Sequence, residues 1–329
     1  MKAANLENRI FSIKNRQDFE STALDIFCYQ YENNSTYNFY CRAINRKPGE
    51  VDALHKIPFL PIEFFKAHQI LNDNVEYEEI FTSSGTTGSQ PSKHYVADLS
   101  LYEKTFYQAF FQFYGNLKGY VVLALLPSYL ERTGSSLIYM ANAFIKSSKH
   151  PESGFYLHEY EKLAKKLKRL DAQGQKVLLI GVSFGLLDLV ESETFSLKNT
   201  IVMETGGMKG RRKEMTRQEL HQILAKGFGV NRIHSEYGMT ELLSQAYSQG
   251  EGLFSCPSTM QVLIREPEDP FHFLSDGKNG GLNVIDLANL HSCSFIATQD
   301  LGRKHASGKF EILGRFDHSD IRGCNLLVL

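Results

Sequence analysis

The stretch KVLLIGVSF, residues 176–184, is an almost uninterrupted run of apolar residues. A run of this length without alternation predicts a strand that is buried on both faces, and we expect it to end at Gly181. The stretch NTIVMETGG, residues 199–207, repeats the pattern, and NRIHSEYG, residues 231–238, supplies a third strand. Strands buried on both faces are typical of parallel sheets covered by helices.

Helical segments separate these strands. YEKLAKKLKRL, residues 160–170, has apolar residues at spacings of three and four on one face and basic residues on the other. TRQELHQILAKGF, residues 216–228, precedes the third strand. Strands that alternate with helices predict an α/β fold with a mostly parallel sheet, in which ligands bind beyond the carboxyl ends of the strands.

The two ends of the chain follow other patterns. The first fifty residues have a helical pattern that Pro48 and Gly49 interrupt. From about residue 260 the sequence changes to short strand patterns and turns, which predicts antiparallel pairing. We therefore predict a helical preamble over 1–55, an α/β core over 56–259, and a β-rich closing subdomain with a C-terminal cysteine segment over 260–329.

Composition and charge exclude several classes of partner. The 329 residues are 42% hydrophobic and carry a formal net charge of −1, so neither nucleic acid nor an anionic membrane is expected as a partner. The longest apolar run, residues 120–126, is too short to span a bilayer, and the N-terminus lacks the apolar centre of a signal peptide, so a cytoplasmic protein is expected. Five scattered cysteines without a CxxC pair predict neither a disulfide framework nor a zinc site.

The stretch FTSSGTTGSQPSKH, residues 81–94, groups hydroxyl residues and glycines ahead of a lysine. Such a loop offers free backbone N–H groups and hydroxyl donors, which is the chemistry of a phosphate cradle, although a mobile surface loop has the same composition. It is not a Walker loop, because His94 follows Lys93 where that motif needs Ser or Thr. The candidate phosphate contacts are Ser83, Ser84, Gly85, Thr86, Thr87, Gly88 and Lys93.

The segment TSSGTTGSQPSK, residues 82–93, resembles the phosphate-binding signature of the adenylate-forming superfamily of acyl-CoA synthetases, peptide-synthetase adenylation domains and luciferases. It differs by an extra residue before Pro91 and by Ser92 between Pro91 and Lys93. Further motifs of the superfamily follow in the same order, namely ETGGMKG, EYGMTE, TQDLG and EILGRFD, between residues 204 and 317. The resemblance implies the large N-terminal domain of that superfamily, with ATP and Mg²⁺ as cofactors.

The resemblance also implies roles for individual residues. Thr240 reaches the α-phosphate, and the carboxylate of Glu241 holds the magnesium ion. Asp300 accepts hydrogen bonds from the ribose hydroxyls, with Arg315 beside it. Gly206 and Gly207 match the turn along which the adenine lies, and Tyr237 packs near the adenine. The nucleotide-binding residues implied beyond the phosphate loop are Gly206, Gly207, Tyr237, Gly238, Asp300 and Arg315.

Several segments resemble more closely the acyl-protein synthetase family of the bacterial bioluminescence fatty-acid reductase complex: IPFLPIEFFK, LLPSYLERTGSSLIYM, ETGGMK and DIRGCNLLVL, between residues 57 and 329. The resemblance implies ATP-dependent activation of a carboxylic acid, expected to be a long-chain fatty acid, as acyl-AMP. The acyl group then passes to Cys324, from which a partner reductase takes it. The implied catalytic residues are Cys324, Thr240 and Lys93, and the mobile C-terminal lysine domain of the superfamily is expected to be absent.

Alternatives stay open at this point. The acyl acceptor could be coenzyme A or a carrier protein, which would make Cys324 dispensable, or the chain could be a non-catalytic nucleotide-binding scaffold. His94 and His234 lie beside motifs, where a histidine is expected to be structural. The aromatic residues between positions 102 and 144 are expected in the core, with the wall of an acyl tunnel as the alternative.

Overall fold

The computed structural model describes residues 2–83, 90–127, 133–206 and 215–316. No helix within these ranges is both long and apolar enough to cross a membrane. The helices are α1 (Ala3–Ile10), α2 (Arg16–Asn33), α3 (Ser35–Ala43), α4 (Phe64–Ala67), α5 (Leu99–Tyr114), α6 (Ser136–Ser148), α7 (Tyr160–Ala172), α8 (Ser183–Ser192) and α9 (Arg217–Phe228). The strands are β1 (Leu60–Pro61), β2 (Glu79–Thr82), β3 (Lys93–Val96), β4 (Val121–Leu125), β5 (Gly154–Tyr156), β6 (Val177–Val182), β7 (Thr200–Thr205), β8 (His234–Tyr237), β9 (Ala246–Ser248), β10 (Phe254–Ser255), β11 (Met260–Arg265), β12 (Asn279–Asp286), β13 (Phe295–Lys304) and β14 (Phe310–Arg315).

The predicted parallel strands lie side by side. The order is β5-β4-β6-β7-β8, and each neighbouring pair in this series is parallel. Every residue of β4 and β6 is buried, as their apolar sequences predict. Strand β6 ends at Val182 and helix α8 begins at Ser183, so the last two residues of the KVLLIGVSF stretch belong to the helix. The carboxyl ends of these strands form one edge.

Antiparallel strands extend the same sheet. Strand β9 pairs antiparallel with β8, and the order continues through β10, β14, β13 and β12 to β11. The α/β fold class is confirmed: one large mixed sheet stands beside a separate two-stranded antiparallel sheet formed by β2 and β3. The predicted β-rich segment after residue 260 is thus joined to the parallel strands through β10 and β9.

The two halves of the sheet pack on different helices. Phe106 and Phe110 of α5 and Phe144 of α6 are fully buried against the parallel half, as expected for core residues, whereas Phe111 of α5 is exposed. The N-terminal helices cover the antiparallel half, where the Phe295 ring stacks on Tyr37 at 6.1 Å and meets the edge of Phe27 at 6.3 Å. Removing these large aromatic surfaces from water is the main stabilisation of both halves.

Between β12 and β13 the chain runs through the interior as the 287–294 loop. Gln30 on α2 donates to the carbonyls of Asn289 at 2.8 Å and Leu290 at 3.1 Å, and accepts from the N–H of Ser294 at 3.0 Å. Asn34 donates to the carbonyl of Ser292 at 2.9 Å. Buried irregular backbone needs such partners, because each unpaired polar group costs free energy.

Asp286 anchors the start of this loop. Its buried carboxylate accepts from the N–H of Leu243 at 2.8 Å, from the N–H of Ser244 at 2.7 Å and from the Ser244 hydroxyl at 2.6 Å. The N–H of Ala288 donates to the same carboxylate at 3.1 Å. One side chain therefore satisfies donors on both sides of the interface between the loop and the 242–245 turn.

We predict that Asp286→Ala lowers the free energy of unfolding by about 3 kcal/mol, because four donors lose a charged acceptor in the interior. Urea denaturation followed by circular dichroism measures the change. The matched control is Asp276→Ala, whose partly exposed carboxylate lies 3.8 Å from Lys304 and is expected to matter by less than about 0.5 kcal/mol. Equal effects of the two substitutions would contradict this account of the loop.

Candidate active site

The β2–β3 hairpin places the start and end of the predicted phosphate loop next to each other. The N–H of Ser83 donates to the Ser92 carbonyl at 3.0 Å, and the N–H of Ser92 donates to the Ser83 hydroxyl at 2.9 Å. Lys93 is exposed and pairs with Thr82 at the end of the hairpin from which the loop leaves. The predicted contacts at residues 84–88 lie outside the described residues.

The EYGMTE motif, residues 236–241, includes the carboxyl end of β8 and the turn that follows it, beside the hairpin. His94, the next residue after Lys93, lies 2.9 Å through Nδ1 from the carbonyl of Thr240. Glu241 is buried, and its carbonyl accepts from the Asn289 side chain at 2.7 Å. Lys93, Thr240 and Glu241 are thus carried by two segments in direct contact.

Local geometry favours glycine at two positions of the motifs. A Cβ at Gly238 would lie 2.4 Å from Oε1 of the buried Glu236, so a side chain there would force that carboxylate to move. Gly206 follows β7 with φ of 71°, a conformation that favours glycine. Its partner in the predicted adenine turn, Gly207, lies outside the described residues.

The predicted ribose pair is assembled on adjacent strands. Asp300 on β13 faces Arg315 on β14 in the register of the sheet, and Nε of Arg315 donates to Asp300 at 3.0 Å. The buried hydroxyl of Tyr237 donates to the other carboxylate oxygen at 2.8 Å. Burial and the nearby Asp300 charge raise the pKa of Tyr237 well above its usual range. Each carboxylate oxygen keeps a lone pair for a further donor. The sequence did not predict the hydrogen bond between Tyr237 and Asp300.

Glu241 fits the role of a magnesium ligand. Burial raises the pKa of its carboxyl, and the Ser92 hydroxyl opposes that shift by hydrogen bonding. Magnesium bound with nucleotides takes one or two carboxylates and completes its shell with phosphate oxygens and water. Burial disfavours the ionised form of the Glu241 carboxyl, and a bound cation would stabilise that form.

Two buried carboxyls that the sequence analysis did not single out lie at the ends of the central strands. Burial alone would raise the pKa of Glu204 on β7, but His221 and Arg217 outweigh it and hold that pKa below its usual value. Burial raises the pKa of Glu236 on β8 to about 7, against a hydrogen bond from the Thr205 hydroxyl. A single acidic residue close to the carboxyl end of a predicted strand was the available signal for both.

The predicted acyl acceptor, Cys324, lies outside the described residues. The remaining cysteines are buried or half-buried and free. Burial raises the pKa of Cys28 and Cys293, and it raises the pKa of Cys41 and Cys256 to about 12. At neutral pH these four thiols are protonated and are poor nucleophiles.

We predict that Glu236→Gln and Glu204→Gln change stability in opposite directions. The pKa of Glu236 is about 7 in the folded protein against an ordinary 4.5, so its ionisation lowers the free energy of unfolding increasingly as the pH rises from 4.5 to 7. Above pH 7 we expect Glu236→Gln to be more stable than the wild type by up to about 3 kcal/mol. The lowered pKa of Glu204 contributes stability above its ordinary pKa that is lost as the pH falls through the folded pKa, so Glu204→Gln is destabilised at pH 7 and less so near pH 4. Urea denaturation between pH 4 and 8 measures both differences, and two curves of the same sign would contradict the assignment.

Comparison with known proteins matches this geometry to a family. Residues 134–329 match the family described as acyl-protein synthetase, LuxE. The long-chain-fatty-acid–luciferin-component ligase of Vibrio harveyi is 24% identical over 323 residues, which cover 91% of this chain and 84% of that protein. The ligase of the same name from Photorhabdus luminescens is 36% identical over 66 residues, which cover 20% of this chain and 56% of that protein.

Solved structures share the fold. An open conformation of 2-hydroxyisobutyryl-CoA ligase in complex with 2-HIB-AMP and CoA matches with a TM-score of 0.67 at 12% identity, covering 93% of this chain and 72% of that one. ATP-bound MatB from Rhodopseudomonas palustris matches with a TM-score of 0.55 at 17% identity over 72% of this chain, which spans about half of that protein, 47%. The ligase names and the family match support ATP-dependent acyl activation. Since the family match covers more than half of its length, this chain belongs to the acyl-protein synthetase family.

Proposed function

We propose that this protein activates a long-chain fatty acid with Mg-ATP to form acyl-AMP and then transfers the acyl group to the thiol of Cys324. The observation that carries the proposal is the convergence of separate motifs on one face of the fold. The hairpin that carries Lys93 contacts the turn that carries Thr240 and Glu241. The Asp300–Arg315 pair meets that same motif through Tyr237. A fatty acid substrate agrees with the names of the curated relatives.

The first step is a displacement at the α-phosphorus of ATP. A carboxylate oxygen of the fatty acid forms a bond to that phosphorus, and the bond to the oxygen that bridges to the β-phosphate breaks, releasing pyrophosphate. Asp300 would hold the ribose, Lys93 and Thr240 would contact the phosphates, and Glu241 would hold magnesium. The ion supplies positive charge near the phosphate oxygens. Catalysis then consists of positioning and electrostatic stabilisation.

The second step is thioester formation. The Cys324 sulfur, as a thiolate, attacks the acyl carbon, and the bond from that carbon to the AMP oxygen breaks, so that AMP leaves. The raised pKa values of the other four cysteines support Cys324 as the acceptor, because burial keeps those thiols protonated. A partner reductase would remove the acyl group from the thioester.

Intact-protein mass spectrometry tests both steps. With Mg-ATP and saturated fatty acids of increasing length, we expect one added acyl mass that neutral hydroxylamine removes. Cys324→Ala is expected to lose the adduct and still release pyrophosphate, whereas the matched control, Cys256→Ala, keeps the adduct. An adduct on Cys324→Ala overturns the assignment of the thiol, and pyrophosphate release without any adduct in the wild type points to an external acceptor such as coenzyme A.

We predict that Asp300→Ala weakens ATP binding at least about tenfold, because the ribose hydroxyls lose a charged acceptor. Tyr237→Phe removes only the hydrogen bond that orients Asp300 and is expected to weaken binding by a smaller factor. Isothermal titration calorimetry with Mg-ATP measures both. The matched control is Glu311→Ala, which removes a carboxylate from the adjacent strand that pairs with His305. Unchanged ATP affinity of Asp300→Ala would remove this residue from the site.

A further inference from the structure

His94 belongs neither to the family motifs nor to the residues that the proposed chemistry uses. His94 is almost completely buried, at 1% exposure, on β3. Nδ1 lies 2.9 Å from the carbonyl oxygen of Thr240, and Nε2 lies 3.0 Å from the hydroxyl of Ser292 in the 287–294 loop. One side chain thus links three segments that are far apart in sequence.

The partners define the protonation of the ring. A carbonyl oxygen only accepts, so Nδ1 of His94 donates to Thr240, and Nε2 accepts from the Ser292 hydroxyl. Burial lowers the pKa of His94 to about 4, so the ring is neutral near pH 7 and this arrangement does not change with physiological pH. The edge of the ring also packs against Phe65 with centroids 5.6 Å apart, which fixes its orientation.

The 287–294 loop also binds the carbonyl of Glu241, the residue after Thr240. Asn289 donates to the carbonyl of Glu241 at 2.7 Å, so the consecutive carbonyls of Thr240 and Glu241 are both bound, one through His94 and one directly. The loop is itself fixed by Asn34 and Asn72, which bond the carbonyls of Ser292 and Leu290 at 2.9 and 3.1 Å. The backbone of the 240–241 turn therefore has a rigid support.

We propose that His94 is a positioning residue for adenylation: it locks strand β3, which carries Lys93, against the turn that carries Thr240 and Glu241. The proposal rests on the proposed function, since it assigns the locked groups to the phosphates and the metal. The Lys93 ammonium and the Glu241 carboxylate must keep a fixed separation around the α-phosphorus that is attacked. A displacement of about 1 Å can lower the rate about a hundredfold. Tyr237 and Arg315 hold the Asp300 carboxylate, so we expect ribose binding to persist when this lock is removed.

The test is the exchange of pyrophosphate into ATP at saturating fatty acid, which reports the first step without Cys324. His94→Phe removes both hydrogen bonds and is expected to lower kcat about a hundredfold while KM for ATP changes by less than about threefold. His94→Asn keeps an amide donor near the position of Nδ1 and is expected to recover most of kcat. Ser292→Ala removes only the second bond and is expected to lower kcat about fivefold.

The matched control is Tyr37→Phe, which removes a buried hydrogen bond of 2.6 Å to the Pro58 carbonyl in the N-terminal core. It is expected to lose stability with kcat unchanged, which separates positioning from general loosening. An inactive wild type overturns the proposed function itself. With an active wild type, a kcat within threefold of the wild-type value in both His94→Phe and Ser292→Ala overturns the positioning role. A loss of kcat in His94→Phe that His94→Asn does not recover overturns it as well. If His94→Phe fails to fold, a fivefold loss in Ser292→Ala supports the role and an unchanged kcat overturns it.

Discussion

The hydrogen bonds of the 287–294 loop are the constraint on which the candidate site depends. The loop is irregular backbone in the interior, so its polar groups need partners from the protein. Gln30 and Asn34 supply them from the N-terminal helices, and Asp286 supplies them at the entry to the loop. Satisfied in this way, the loop becomes a fixed surface from which Asn289 and Ser292 hold the turn and the hairpin of the site.

Electrostatics at the ends of the parallel strands follow from unequal partners. Glu204 has His221 and Arg217 near its carboxylate and remains charged. For Glu236, burial and the neighbouring Glu204 charge raise the pKa to about 7 against the hydrogen bond from the Thr205 hydroxyl, so its neutral form is favoured below pH 7. Two ionised carboxylates at this depth would repel each other and the phosphates of a nucleotide. Keeping one of them neutral limits the negative charge at the carboxyl ends of the parallel strands.

The sequence predicted what depends on local patterns. Apolar runs identified β6 and β7. The resemblance to the superfamily motifs implied that Asp300 and Arg315 lie together, and the register of β13 and β14 brings Nε of Arg315 to 3.0 Å from Asp300. The sequence did not predict that the antiparallel strands continue the parallel sheet, because that junction depends on β9 and on β10, a strand of two residues with no pattern of its own. The sequence also did not predict the hydrogen bonds of His94, because its partners Thr240 and Ser292 lie 146 and 198 residues away.

The N-terminal helices support the candidate site through hydrogen bonds to the 287–294 loop. Their sequence predicts a helical preamble, yet Gln30 and Asn34 are among the most deeply buried polar residues of the described chain and both bond the 287–294 loop. The path from α2 to the candidate metal ligand has only two steps, from Gln30 to the carbonyl of Asn289 and from the Asn289 side chain to the carbonyl of Glu241. Because buried hydrogen bonds of this kind allow little displacement, the geometry at Glu241 is set in part by a helix that begins more than two hundred residues earlier.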